Sequence, residues 1–171
     1  MRLLILLVVA VFPTVALGEP VGDPLREAGL RKARKIEVLL SDGRRKTLEF
    51  APEPFLDEKG MLRLVPGDSV QVRFVVREGE LTDPRVVGDP RKEDGCVLFF
   101  FKHKDGRAMV SVENPYEKVL HFRCRSSKID SDEITEQKPV RVSPRGLRTS
   151  IYEGNEVHFF LSEFQLRPVK G

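Results

Sequence analysis

No tryptophan occurs in this sequence, and cysteine, tyrosine and histidine are scarce, at 2, 2 and 3 residues of 171. Two cysteines are too few for a disulfide-framed miniprotein. No period of about 20 to 50 residues recurs, which excludes a repeat array. Absent too are Gly-x-Ser-x-Gly, His-Glu-x-x-His, Gly-x-x-x-x-Gly-Lys and Gly-x-Gly-x-x-Gly. The chain therefore lacks the short signatures of a hydrolase elbow, a zinc-protease helix and a phosphate-cradling loop. The longest apolar run, Leu3 to Phe12, is half the length needed to span hydrocarbon.

What is present describes a chain that folds: 40% of residues are hydrophobic and 32% charged, too apolar for disorder and sufficient for one domain. Residues 1–18 combine Arg2, the apolar run and Ala16-Leu17-Gly18, which predicts a secretory signal peptide and a secreted or periplasmic destination. Losing Arg2 would lower the net charge from +3 to +2. No later segment is long and apolar enough to be a membrane anchor. Residues 19–35 are polar and basic, broken by Gly22, Pro24 and Gly29, and read as an extension with at most one helical turn around Leu25 to Ala33.

Residues 36–171 read as a single all-β domain. Ile36 to Leu40 and Arg45 to Phe50 flank Ser41-Asp42-Gly43-Arg44, a hairpin signal. Val70, Val72, Phe74 and Val76 alternate with polar residues. Cys96 to His103 is dense enough in apolar residues to be a strand covered on both faces. It continues through Asp105-Gly106 into Ala108 to Glu113, and through Asn114-Pro115 into Val119 to Arg125, a three-strand meander. Val140 to Val142, Arg148 to Tyr152 and Glu156 to Leu166 bring the count to about nine strands without a long helix, the profile of an antiparallel sandwich or barrel, and the pattern around the cysteines favours an antiparallel β-sandwich. The patterns Pro66-Gly67-Asp68-Ser69-Val70 and Val110 to Pro115 resemble those of immunoglobulin-like sandwiches in broad architecture, although the chain has no tryptophan for the immunoglobulin core.

Two cysteines in an exported chain predict a Cys96–Cys124 disulfide, closing about 28 residues and contributing about 3 to 4 kcal/mol. His121-x-x-Cys124 has a ligand-like spacing, but residues three apart on a strand face opposite ways. His103 and His121 could share an outward face of neighbouring strands, though surface histidines are the plainer reading. Asp130-Ser131-Asp132-Glu133 with Glu136 departs from a calcium loop at Ile134 and Thr135 and reads as a solvated acidic loop. No catalytic residue, metal site or cofactor is assigned.

Charge is unevenly spread. Arg31, Lys32, Arg34, Lys35, Arg44, Arg45 and Lys46 cluster before residue 47 and form a candidate polyanion-binding patch. The leading functional expectation is a non-catalytic secreted or periplasmic binding or accessory protein. Its partner would be a protein of the cell envelope or outside the cell, contacted through loops or an open sheet edge. Binding of an anionic polymer or lipid surface through the basic region is the alternative, and an uncharacterised hydrolase the second.

Overall fold

A computed structural model describes residues 29–88, 95–153 and 155–169. The predicted signal segment, residues 1–18, and residues 19–28 of the extension lie outside the described residues. Twelve strands and no helix are found among the described residues. They are β1 (Arg34–Leu39), β2 (Arg45–Phe50), β3 (Leu62–Leu64), β4 (Ser69–Arg77), β5 (Glu80–Val87), β6 (Val97–Lys104), β7 (Arg107–Glu113), β8 (Val119–Lys128), β9 (Ile134–Glu136), β10 (Val140–Val142), β11 (Leu147–Glu153) and β12 (Glu156–Arg167).

The pairings are antiparallel. β1 and β2 form a separate hairpin, and the other ten strands make one sheet in the order β10-β8-β12-β5-β4-β6-β7-β11, with β3 on β12 and β9 on β8. The sheet curls into a half-barrel, and inward residues from strands along its whole width meet in one core. Among them are Leu62, Val70, Phe99, Phe101, Leu120 and Phe159. Phe101 meets Phe159 edge-on, with ring centroids 4.9 Å apart, and each large apolar side chain withdrawn from water contributes about 1.5–3 kcal/mol.

Register slips supply the bend. β12 slips against β8 between Glu156 and His158 and again between Ser162 and Gln165, and β4 slips against β5 between Arg73 and Val75. A slip of this kind places an extra residue on one strand, which bends it and increases its twist. Glu163 and Asp83, at positive φ of 55° and 49°, sit at two of these irregularities. Beyond its own slip β4 leaves the core, so Val76 is exposed although its alternation with Val70, Val72 and Phe74 predicts an inward side chain.

The all-β, antiparallel character follows the sequence reading, with twelve strands in place of about nine. This order leaves the expected immunoglobulin-like sandwich without support. The expected meander also breaks: β7 pairs with β6 and β11, whereas β8 pairs with β12, β10 and β9. Residues 114–118 thus carry the chain from one margin of the sheet to the other.

The β1–β2 hairpin buries Val38 and Leu40. It lies against the Pro66-Gly67-Asp68 turn, where a Cβ on Gly67, at φ 85°, would stand 3.2 Å from Ile36. β1 starts at Arg34, within the predicted extension, and Gly29 and Arg31 are already fixed by backbone bonds to Phe55 and Glu53. Residues 29–33 form an isolated bridge, Leu30 to Pro54, and no helical turn.

Candidate functional site

The predicted basic patch is built into the fold to an extent its composition does not suggest. Arg31 is 2% exposed and Asp68 3%. An Arg31 Nη2 donates to Asp68 Oδ2 at 3.1 Å and to the Arg63 carbonyl at 2.8 Å, and Arg34 donates to the other oxygen of the same carboxylate. Asp68 Oδ2 also accepts the Val65 N–H at 2.8 Å. Arg31 stacks over Phe55 at 5.3 Å and lies 3.6 Å from the half-exposed Glu53. Burial lowers the Arg31 pKa from its ordinary value, the Asp68 carboxylate opposes that, and neighbouring Arg34 adds to it. One carboxylate thus anchors two guanidinium groups where residues 31–34 cross the β3–β4 turn.

The remaining basic residues lie on the hairpin surface. Lys35 pairs with Glu49 at 2.7 Å, Arg45 with Glu37 at 2.7 Å and Arg44 with Asp42 at 2.7 Å, while Lys46 pairs with Asp130 of the acidic loop. Lys32 is exposed. A polyanion would have to compete with intramolecular carboxylates at Arg31, Arg34, Lys35, Arg44, Arg45 and Lys46.

Cys96 and Cys124 are both buried and are not bonded to each other, which corrects the predicted disulfide. The meander assumed for the pairing is absent. Cys124 faces the core with Leu120 and Phe122, but β6 turns Val97, Phe99 and Phe101 inward, the opposite parity to Cys96. Cys124 Sγ instead lies 3.5 Å from the Tyr152 hydroxyl of β11. Burial first, and the Glu136 charge after it, push the thiol up to about 11 against the opposing Tyr152 hydrogen bond. A thiol so raised is protonated at neutral pH and is a poor nucleophile.

Histidines do not converge. His103 is on β6 and His121 on β8, strands that are not neighbours in the sheet. Among the described residues no group of three or more His, Cys, Asp or Glu side chains comes together as a metal site would require. His158 Nδ1 lies 3.1 Å from Ser127 Oγ, its cross-strand neighbour. His158, but not Ser127, borders a cleft of about 790 Å³ between β2, residues 128–132 and β12. A nucleophile and base need a third group to orient the base, and among the described residues no carboxylate hydrogen-bonds His158. Its neighbours are Phe50 and Phe160, at ring distances of 6.1 and 6.3 Å.

The feature that residue-by-residue reading misses is the seam where the two margins of the sheet, β10 and β11, face one another. One end is pinned. Buried Asn114 donates through Nδ2 to the carbonyls of Lys118 (2.8 Å), Val142 (3.2 Å) and Ser143 (2.9 Å), and its backbone N–H donates to the Gly146 carbonyl at 2.9 Å. This ties the β7–β8 crossing to the β10–β11 turn. Arg148 then reaches over to the Arg141 carbonyl at 3.1 Å. Beyond that bond the margins enclose a groove of about 400 Å³ lined by residues 137–140 and 148–152. Tyr152 packs on Phe159 at 4.7 Å and anchors the β11 wall to the core. On β11, Leu147 and Ile151 are 66% and 54% exposed. The only trace of this in the sequence is the pair of bulky aliphatics at i and i+4 of a short polar strand.

No protein-family model, curated protein or solved structure matches the chain.

Proposed function

We propose that this protein is a non-catalytic binding domain that holds a protein partner along the open margin of its curled sheet, and that it acts outside the cytoplasm. The observation that carries this reading is β11. Among the described residues only its β7 side is paired within the sheet, and it exposes Leu147 and Ile151. An edge strand offers unpaired N–H and C=O groups to any extended chain, and natural proteins usually blunt such edges with charge, proline or a covering loop. Main-chain bonds along an edge supply affinity, and alternate side chains supply specificity. Export is supported by the charged, apolar and small-residue order of residues 1–18.

Leu147→Lys with Ile151→Lys tests the edge. Both side chains are largely in solvent, so the variant should fold with an unchanged denaturation midpoint. It should lose the partners that the unmodified chain captures from cell-envelope or culture-medium fractions. Retention of every captured partner by the folded variant would overturn the reading.

A further inference from the structure

We propose that the partner segment is an acidic extended peptide that enters the groove between β10 and β11 and adds to β11 as a further strand. This rests on the edge-binding reading above and names the chemistry of its ligand.

Charge is the first argument. Lys138 and Arg148 line the groove, no acidic residue lines it among the described residues, and Arg141 flanks it on β10. None of the three has an ion pair among the described residues, in contrast with the hairpin, where basic side chains face carboxylates. Arg141 belongs to a wider positive surface. His121 of β8, paired with Arg141 of β10, is held below its ordinary pKa by burial first and then by Arg167 and Arg141. A cleft lined by one sign of charge focuses the field and selects ligands of the other sign.

Shape is the second argument. The groove runs beside the open edge of β11 and is pinned at one end by the Asn114 clasp, which suits an extended chain better than a globular surface. Ile151 is exposed on β11 and can receive an apolar side chain, while side chains of the opposite parity on the same peptide would meet Arg148, on the other face of β11, with Lys138 across the groove. The ligand therefore alternates acidic with aliphatic residues, the period-two spacing of a strand. A second copy of this chain is a poorer occupant, because its β11 would bring Arg148 toward the same cationic margin, and like charges brought together at an interface are disfavoured.

Fluorescence anisotropy with the whole chain tests the proposal. The probe is a labelled octapeptide alternating glutamate and valine. Controls are the same peptide with lysine for glutamate, the glutamate peptide N-methylated at alternate residues so that it cannot pair with an edge, and heparin as a polymer of similar charge. The acidic peptide should saturate and bind at least tenfold more tightly than the lysine and N-methylated peptides. Lys138→Glu with Arg148→Glu, in a chain with an unchanged denaturation midpoint, should weaken it at least tenfold, and added salt should weaken it further. Equal binding of the N-methylated peptide, or of heparin with the same dependence on Lys138 and Arg148, would overturn strand addition in favour of a general anion surface. Binding of the lysine peptide in preference to the acidic one would overturn the acidic assignment while leaving the edge reading intact. Failure of all the peptides, with partner capture still lost in Leu147→Lys/Ile151→Lys, would likewise remove the acidic peptide alone. Failure of the peptides together with undiminished capture would remove both.

Discussion

Two groups of basic residues in this molecule have the same chemistry and opposite fates. Around the β3–β4 turn, Arg31 and Arg34 converge on Asp68 inside the protein. At the seam, Lys138, Arg141 and Arg148 surround a groove without an ion pair among the described residues. The first group is dense in sequence and neutralised in space. The second is spread over eleven positions and left open. A run of Lys and Arg is thus a poor guide to where a protein presents positive charge, because a hairpin that brings such a run to the surface also brings the carboxylates of its partner strand.

The largest expected effect comes from breaking the buried group. Asp68→Asn leaves two guanidinium groups without their shared negative charge and only one oxygen to serve Arg31, Arg34 and the Val65 N–H. Stranding buried charge costs about 3–5 kcal/mol, read as a drop in the urea midpoint with the slope unchanged. A cost below about 1 kcal/mol would mean that this cluster behaves like a surface pair. Reversing the seam charges should be the opposite case, with a stability change within about 0.5 kcal/mol.

Two histidines report on the two regions separately. His158 is held below its ordinary value near 6.5 by burial and then by Arg63 and Arg31, and His121 by burial and then by Arg167 and Arg141. The folded protein takes up these protons less readily than the unfolded chain. Their contribution to stability is therefore complete above about pH 6.5 and is lost as the pH falls through that value toward their folded pKa values. NMR titration should show both below the ordinary value. Arg141→Gln should raise His121 and leave His158 in place, and movement of both would show that the regions are not electrically separate.

The smallest effect is expected on the hairpin surface. Removing Lys35–Glu49 or Arg45–Glu37 should change stability by about 0–1 kcal/mol, because exposed ion pairs exchange one set of solvated contacts for another. Thermal melts of Lys35→Gln and Arg45→Gln at low and high salt give the check.

Much of the local structure was legible. The Asp42-Gly43 hairpin, the alternation through Val70 to Phe74, and the strands at Val140, Arg148 and Glu156 each depend on period-two patterning or turn chemistry within a few residues. Local patterning does not carry how one segment is placed against another. Asn114-Pro115 marks a turn, yet nothing within it says that the chain crosses to the far margin of the sheet. That crossing separates β8 from β7, leaves Cys124 beside Tyr152, and keeps His121 away from His103. The seam was illegible for the same reason, since β10 and β11 define it only as the two ends of an eight-strand path through the sheet.

The sequence by itself determined the all-β class, the position of most strands and the apolar face of β4 and β8, because side-chain alternation and Gly- or Asp-containing turns act over short range. Tertiary structure alone decided that the sheet curls without closing, that the cysteines stay apart, that Arg31 is interior while Arg148 is not, and that a basic groove lies between β10 and β11. Those outcomes depend on which distant strands pair and where their register slips, and the free energy of such pairings belongs to the whole sheet.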